Sequence, residues 1–159
     1  MSDIEKSKLL REWLRPWLHT SIRLMNAGQV PPDPTWSSRL QPSPDYATEE
    51  FIYVLLTEDG SDGVPVYIGR AKNPVARWKS HLQGFATGKR SYRRWRERLL
   101  DERGHSRYPL VLVVIPICEV TIPVIPGFPT TVGALEYQLI SLAAEVTPGG
   151  LLNHEGIAR

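Results

Sequence analysis

The stretch VYIGRAKNPVARWKSHL, residues 66–82, contains a complete transition from a strand to a helix. Its first residues belong to a short β-branched and aromatic run over 64–69, which predicts a strand. Asn73 and Pro74 are typical of a helix start, because asparagine is a favoured N-cap and proline suits the first helical position. The pattern therefore predicts a helix that begins at Pro74 and ends at Gly84.

Two further apolar runs complete a small predicted sheet. FIYVLL, residues 51–56, is separated from the strand over 64–69 by the turn-forming residues TEDGSDG, which predicts an antiparallel hairpin. YPLVLVVIPIC, residues 108–118, predicts a third, buried strand. We expect an α+β fold in which a three-stranded, mostly antiparallel sheet is flanked by helices.

The residues before the hairpin predict a helical arm and a linker. Apolar residues recur at helical spacing over 3–27, which indicates one helix or two short ones, interrupted by Pro16 and ended by Gly28. Residues 30–48 are rich in Pro, Ser and Asp, which predicts a linker or ordered arm and not a core element. We expect residues 1–48 to form this arm and residues 49–159 the main domain.

Two more helices are predicted after the hairpin. A very basic one spans about 89–103 and ends at Gly104. The proline-rich residues 119–130 predict a loop, after which a helix over about 132–144 is capped by Thr130 or Thr131.

Composition excludes several classes of protein. The 159 residues fit one domain, and no apolar run reaches the roughly 18 residues that a membrane span requires. The charged start MSDIEKSKLL lacks the apolar segment of a signal peptide. A single cysteine, Cys118, excludes both a disulfide framework and a cysteine-based zinc site. We expect a cytoplasmic protein.

Positive charge is concentrated in the middle of the chain. Between Ile68 and Tyr108 lie 12 of the 19 Lys and Arg residues but only 3 of the 17 Asp and Glu residues. A basic segment within an acidic frame is typical either of a phosphate-facing surface or of a solvated basic helix.

Five residues stand out on these elements. Tyr53 and Tyr67 lie on paired strands, where cross-strand aromatic packing is the ordinary interpretation. Arg77 and His81 are four residues apart and share one helix face. Glu136 stands among apolar neighbours on the last helix, either as an exposed position or as a buried ligand.

Together, these residues resemble the GIY-YIG nuclease family. The order is Ile-Tyr, then Tyr-Ile-Gly at 67–69, then an arginine, a histidine four residues later, a distant glutamate and a late asparagine, Asn153. The resemblance covers about residues 50–154. The sequence departs from the motif at Phe51, where the glycine of the family motif is absent, and it carries Arg70 where some members have lysine.

The resemblance implies a catalytic set and a metal ligand. The implied catalytic residues are Tyr53, Tyr67, Arg70, Arg77, His81 and Asn153. Glu136 would ligate Mg²⁺ or Mn²⁺, hard cations that prefer oxygen ligands. Arg77 would stabilise the phosphate. Tyr53 would act as general base or orient the nucleophile, assisted by His81 or Arg70, and Tyr67 would lie against the attacking water or the phosphate; which tyrosine deprotonates the water stays open. Asn153 would orient Glu136 or the backbone, or it is an ordinary turn residue.

The basic residues predict contacts with a nucleic-acid backbone. The candidates are Lys72, Lys79, Lys89, Arg90, Arg93, Arg94 and Arg96. Tyr92 and Trp95, within the same basic helix, either stack on bases or anchor the helix to the core.

We therefore expect a divalent-metal-dependent DNA endonuclease that acts on duplex DNA and has no membrane partner. It would be a small enzyme of restriction, repair or phage defence. Double-strand cleavage by one active site per chain requires a homodimer or two binding events. The alternative is a non-catalytic nucleic-acid-binding protein that retains the nuclease fold.

Overall fold

A computed structural model of the chain describes residues 1–30, 36–58 and 63–153. Parts of the predicted hairpin turn (59–62) and linker (31–35), and the tail from residue 154 onward, lie outside these ranges. The described residues form an α+β protein with a four-stranded antiparallel sheet in the order β1-β4-β2-β3. The strands are β1 (Ile22–Met25), β2 (Phe51–Glu58), β3 (Gly63–Ala71) and β4 (Leu110–Pro116).

The predicted hairpin and third strand are confirmed. β2 pairs with β3 on one side and with β4 on the other, both antiparallel. Phe51 to Thr57 are all buried, as expected for a strand in the middle of a sheet with both faces covered. A β-bulge interrupts the β2–β3 register between Leu55 and Leu56. β3 is an edge strand of the sheet.

The prediction of only three strands is wrong, because the N-terminal helix is shorter than its apolar pattern indicates. α1 (Asp3–Leu14) starts with a capping box between Ser2 and Glu5. Pro16, which lacks a backbone N–H, lies in the 3-10 helix Arg15–Thr20 that follows, and the chain then enters β1, antiparallel to β4. The apolar residues at the end of the predicted helix are therefore strand residues.

The structure of residues 36–48 also differs from the prediction. α2 (Trp36–Leu40) is a short helix whose two terminal side chains are buried in the core, and a 3-10 helix follows at Pro44–Tyr46. The prediction that this segment contributes nothing to the core is wrong, because one tryptophan and one leucine are enough to anchor a short helix.

The remaining helices follow the prediction except at their ends. α3 (Pro74–Thr87) begins with the predicted Asn73 cap and passes through Gly84, and its C-cap is Gly88, which has a positive φ of 66°. α4 (Tyr92–Leu99) is shorter at both ends than the predicted basic helix. α5 (Val132–Val146) is capped by Thr131. Among the described residues, no helix is long and apolar enough to cross a membrane.

The sheet separates two hydrophobic clusters. Alternate residues of β2, starting at Ile52, pack against α1 and α5, and the other residues, including Tyr53, pack against α2, α3 and α4. Residues of the predicted N-terminal arm thus belong to both clusters. The second cluster contains the two strand tyrosines.

Candidate active site

Two tyrosines of the β2–β3 hairpin lie side by side on the sheet face covered by α3. Tyr53 pairs with Gly69 and Tyr67 with Leu55, so that the tyrosines are diagonal neighbours on one face. Their rings stack with centroids 6.0 Å apart. Tyr53 is only 1% exposed, whereas Tyr67 is partly exposed. Tyr67 is therefore the tyrosine that a substrate can contact from solvent.

Gly69 leaves the space that the Tyr53 ring occupies. A Cβ atom at Gly69 would lie 2.3 Å from Tyr53 Oη and 2.5 Å from Cζ, both far inside van der Waals contact. Because Tyr53 is buried among other rings, it has little room to move away. The glycine of the Tyr-Ile-Gly sequence thus makes room for the ring of the opposite tyrosine.

Arg77 and His81 reach the tyrosines from α3. Tyr53 Oη is 3.2 Å from Nε2 of His81. The guanidinium of Arg77, an exposed residue, lies near both tyrosine hydroxyls, close enough for its positive charge to act on them. The structure therefore brings four of the predicted catalytic residues, Tyr53, Tyr67, Arg77 and His81, into one cluster.

Burial sets the protonation of this cluster. It raises the pKa of Tyr53 well above the ordinary tyrosine value, and the nearby Arg77 cation opposes this shift. Burial, together with Arg77, lowers the pKa of His81 to about 3. At neutral pH, Tyr53 is protonated and His81 is a neutral imidazole with one donor and one acceptor nitrogen.

A third tyrosine joins the cluster from α4. Nδ1 of His81 is 2.9 Å from the hydroxyl of Tyr92, so both ring nitrogens contact tyrosine hydroxyls. The sequence pattern fits either a base-stacking or an anchoring role for Tyr92, and it does not connect this residue with His81. The sequence holds one hint of the contact between His81 and Tyr92. Position 84, one turn after His81, is a glycine, and a tyrosine stands at the start of the next helix.

Glu136 and Arg70 form a separate pair. Glu136 Oε1 is 3.8 Å from Arg70 Nε, and the glutamate side chain is 27% exposed. Burial raises the pKa of Glu136, and the Arg70 cation acts in the opposite direction. Arg70 alternates with Gly69 along β3, so the pair lies on the α5 side of the sheet, at the same end of β3 as the tyrosine cluster.

The carboxylate of Glu136 fits a hard divalent cation that keeps most of its water ligands. It is a single oxygen donor group, partly open to solvent, and Arg70 contacts it at a distance longer than a close hydrogen bond. Within the described residues, no group of three or more His, Cys, Asp or Glu side chains is placed to hold a metal. A metal here would therefore depend on water and substrate oxygens to complete its coordination.

Asn153 holds the edge of β3. Its Oδ1 accepts a hydrogen bond from Ile68 N at 2.7 Å, and its Nδ2 donates to Ile68 O. Leu152 N also donates to Val66 O, at 2.7 Å. Of the predicted alternatives for Asn153, the structure shows the contact with the backbone. Since Asn153 is buried, it positions the strand that carries Tyr67 and does not face a substrate directly.

The predicted nucleic-acid contacts divide into two groups. The exposed residues are Lys72, Lys79, Lys89, Arg90 and Arg93, of which Arg93 pairs with Glu97. Arg94 donates to Gly149 O at 3.1 Å and Arg96 to Ala86 O at 2.7 Å. These last two arginines therefore have structural partners that the sequence pattern did not indicate.

Arg98 has a similar structural role. It donates to three consecutive carbonyls, including Pro148 O at 2.6 Å and Gly149 O at 3.4 Å, and burial lowers its pKa. The basic helix thus holds the loop that leads to Asn153. Some arginines of this helix therefore bind carbonyl groups of the protein and are not available to a phosphate backbone.

Comparison with known proteins adds no identification. No protein-family model matches the chain, and neither a curated protein nor a solved structure does.

Proposed function

We propose that this protein is a divalent-metal-dependent endonuclease that hydrolyses phosphodiester bonds of duplex DNA and belongs to the GIY-YIG nucleases. The observation that carries the proposal is the cluster in which the Arg77 cation lies near both tyrosine hydroxyls while His81 Nε2 contacts the buried one. An ordinary aromatic core does not need a cation and an imidazole against its hydroxyls.

The chemistry of hydrolysis fits the groups present. Attack of water on a phosphodiester requires a proton acceptor near the water and positive charge near the phosphoryl oxygens. Tyr67 is partly exposed and within reach of Arg77, so its hydroxyl can meet the attacking water while the guanidinium binds the phosphate. A tyrosine acts as a base only when its own proton has somewhere to go. Tyr53 and His81 provide a path away from solvent.

A metal at Glu136 would supply Lewis-acid stabilisation of the phosphate and of the leaving 3′ oxygen. Glu136 is the residue that would hold it, and Arg70 would orient the Glu136 carboxylate. Their position at the same end of β3 as the tyrosine cluster supports one continuous active site around the edge of the sheet.

The cleavage assay that tests this proposal uses supercoiled plasmid. With Mg²⁺ or Mn²⁺ we expect nicked or linear product, and with excess EDTA we expect none, because the metal provides a large part of the transition-state stabilisation. Binding without cleavage under all metal conditions would support the alternative, a nucleic-acid-binding protein that retains the fold.

The salt dependence of binding distinguishes phosphate contacts from structural arginines. Replacing the exposed Lys89, Arg90 and Arg93 with Gln should reduce the slope of log affinity against log salt by roughly 0.9 for each cation that had neutralised a phosphate of duplex DNA. Sequence preference should hardly change, since such cations do not identify bases. Fluorescence anisotropy at several salt concentrations, in EDTA to prevent cleavage, provides the measurement.

The matched control for this experiment replaces Lys8, Arg15 and Arg39 with Gln, three exposed cations outside the basic segment. These changes should leave the slope as it is in the unmodified protein. An unchanged slope in the Lys89, Arg90 and Arg93 variant would place the DNA path elsewhere, along Arg70, Lys72 and Lys79.

A further inference from the structure

The orientation of the His81 proton is the feature that determines what this imidazole can do. Nε2 is 3.2 Å from Tyr53 Oη, and Nδ1 is 2.9 Å from Tyr92 Oη. A neutral imidazole carries its proton on only one of these nitrogens, so one tyrosine donates to the ring and the other accepts from it. The two tautomers have opposite consequences for Tyr53.

Arg77 favours the tautomer with the proton on Nδ1. The guanidinium is a cation with only donor groups, and it stabilises negative charge on the Tyr53 oxygen. An N–H group on Nε2 would direct a second positive dipole towards the same oxygen and the same cation. With the proton on Nδ1, the Tyr53 hydroxyl donates to Nε2 and the Tyr92 oxygen accepts from Nδ1.

We infer that Tyr92 is a positioning residue of this site: its hydroxyl oxygen accepts the Nδ1 proton of His81 and thereby keeps Nε2 as the acceptor of the Tyr53 proton. The inference deepens the proposed function and rests on it for its catalytic meaning. In that reaction, one proton passes from the attacking water to Tyr67, the Tyr67 proton passes to Tyr53, and the Tyr53 proton passes to Nε2. Each tyrosine gains and loses one proton. The imidazole carries the extra proton only transiently and then releases it to solvent, because its pKa of about 3 makes the imidazolium a strong acid at neutral pH.

The packing around Tyr92 holds its ring in one specific position. Its ring lies over Gly84 so closely that a Cβ atom there would be 2.2 Å from Tyr92 Cε2. Glycine is a poor residue for the interior of a helix, and here it makes room for the ring. The indole of Trp95 stacks on the imidazole with centroids 5.2 Å apart and planes 22° apart, which fixes the plane of the His81 ring.

The test is the tautomeric state of His81 by ¹⁵N NMR, with the resonance assigned by its loss in His81→Gln. We expect Nδ1 to be protonated and Nε2 unprotonated in the unmodified protein at neutral pH. Tyr92→Phe removes the acceptor, and Gly84→Ala keeps the hydroxyl but displaces it. Both variants should show a mixture of tautomers or the Nε2-protonated form. Tyr137→Phe, an exposed tyrosine on α5, is the matched control and should leave the signals unchanged.

Cleavage by the same variants provides the second measurement. Tyr92→Phe should lower kcat by roughly tenfold to a hundredfold, within the range of one proton-transfer contribution, with little change in KM. The acid limb of the pH profile should move, since the charged and titratable groups around His81 in the described part of the chain are Arg77, Tyr53, Tyr67 and Tyr92. A folding defect would also expose His81 and change its tautomer, so the circular dichroism of each variant is compared with that of the unmodified protein.

Two results would overturn the inference: a proton on Nε2 in the unmodified protein, or an unchanged His81 spectrum in Tyr92→Phe. The first needs no variant, so a variant that fails to fold does not prevent the test. An Nδ1-protonated ring in a protein that does not cleave DNA would uphold the assignment of Tyr92 and refute the proposed function.

Discussion

Replacing Glu136 with glutamine should lower metal-dependent DNA cleavage by at least about a thousandfold. Glutamine keeps the shape of the side chain but is a neutral and much weaker ligand for a hard cation. A bound metal contributes several kcal/mol of transition-state stabilisation, and each 1.4 kcal/mol corresponds to about a factor of ten in rate. The measurement is the single-turnover cleavage rate at saturating protein, over a range of Mg²⁺ and Mn²⁺ concentrations.

DNA affinity measured in EDTA should stay within a few-fold of the unmodified protein, because the residues predicted to contact DNA are elsewhere. Glu145→Gln is the matched control, since Glu145 is an exposed carboxylate on the same helix that pairs with Lys6. Cleavage by Glu136→Gln at the rate of the control would show that Glu136 is not the metal ligand and that its contact with Arg70 is only an ion pair.

The sequence predicted the centre of the sheet better than its edges. The strands around Phe51–Leu56 and 64–69 have strong apolar patterns and a clear turn between them, so local residues determine both their existence and their pairing. β1 was missed because its four residues continue the apolar spacing of α1. What makes Ile22–Met25 a strand is pairing with β4, a contact between segments almost 90 residues apart.

Helix ends were missed for a similar reason. Gly84 is a typical stop signal, yet α3 continues through it for three more residues, because the ring of Tyr92 packs where a side chain would be. The cost of glycine within a helix is about 1 kcal/mol, which tertiary packing readily offsets. A single sequence shows the glycine but not the ring that contacts it.

In the candidate site, some contacts follow from local sequence rules and others depend on tertiary packing. Tyr53 and Tyr67 share a face because of strand register, and Arg77 and His81 share a face because of helical spacing, so local rules bring each pair together. The contact of His81 with Tyr92, and the use of Arg94 and Arg98 to hold the loop before Asn153, depend on how α4 packs against its neighbours. Charge alone could not distinguish these arginines from exposed ones such as Arg93.

Replacing Arg77 with alanine should lower the cleavage rate by at least about a hundredfold. Two effects act in the same direction. The variant loses a charge-stabilising donor for the phosphate. It also loses the cation that opposes the rise of the Tyr53 pKa, so the tyrosinate form of this buried residue becomes still less accessible. Single-turnover cleavage across a range of pH separates the two effects, since the second moves the pH dependence and the first lowers the rate at every pH.

Tyr53→Phe complements this experiment, because it removes the buried hydroxyl without removing the charge of Arg77. We expect a loss of the same order, with circular dichroism unchanged, if the proton of the attacking water leaves through Tyr53. Arg15→Ala is the matched control for loss of one exposed arginine. If Tyr53→Phe cleaves at the normal rate while Arg77→Ala does not, Arg77 acts on the phosphate alone and Tyr67 passes its proton to solvent. If Arg77→Ala also cleaves normally, the tyrosine cluster is a part of the core and the active site lies elsewhere.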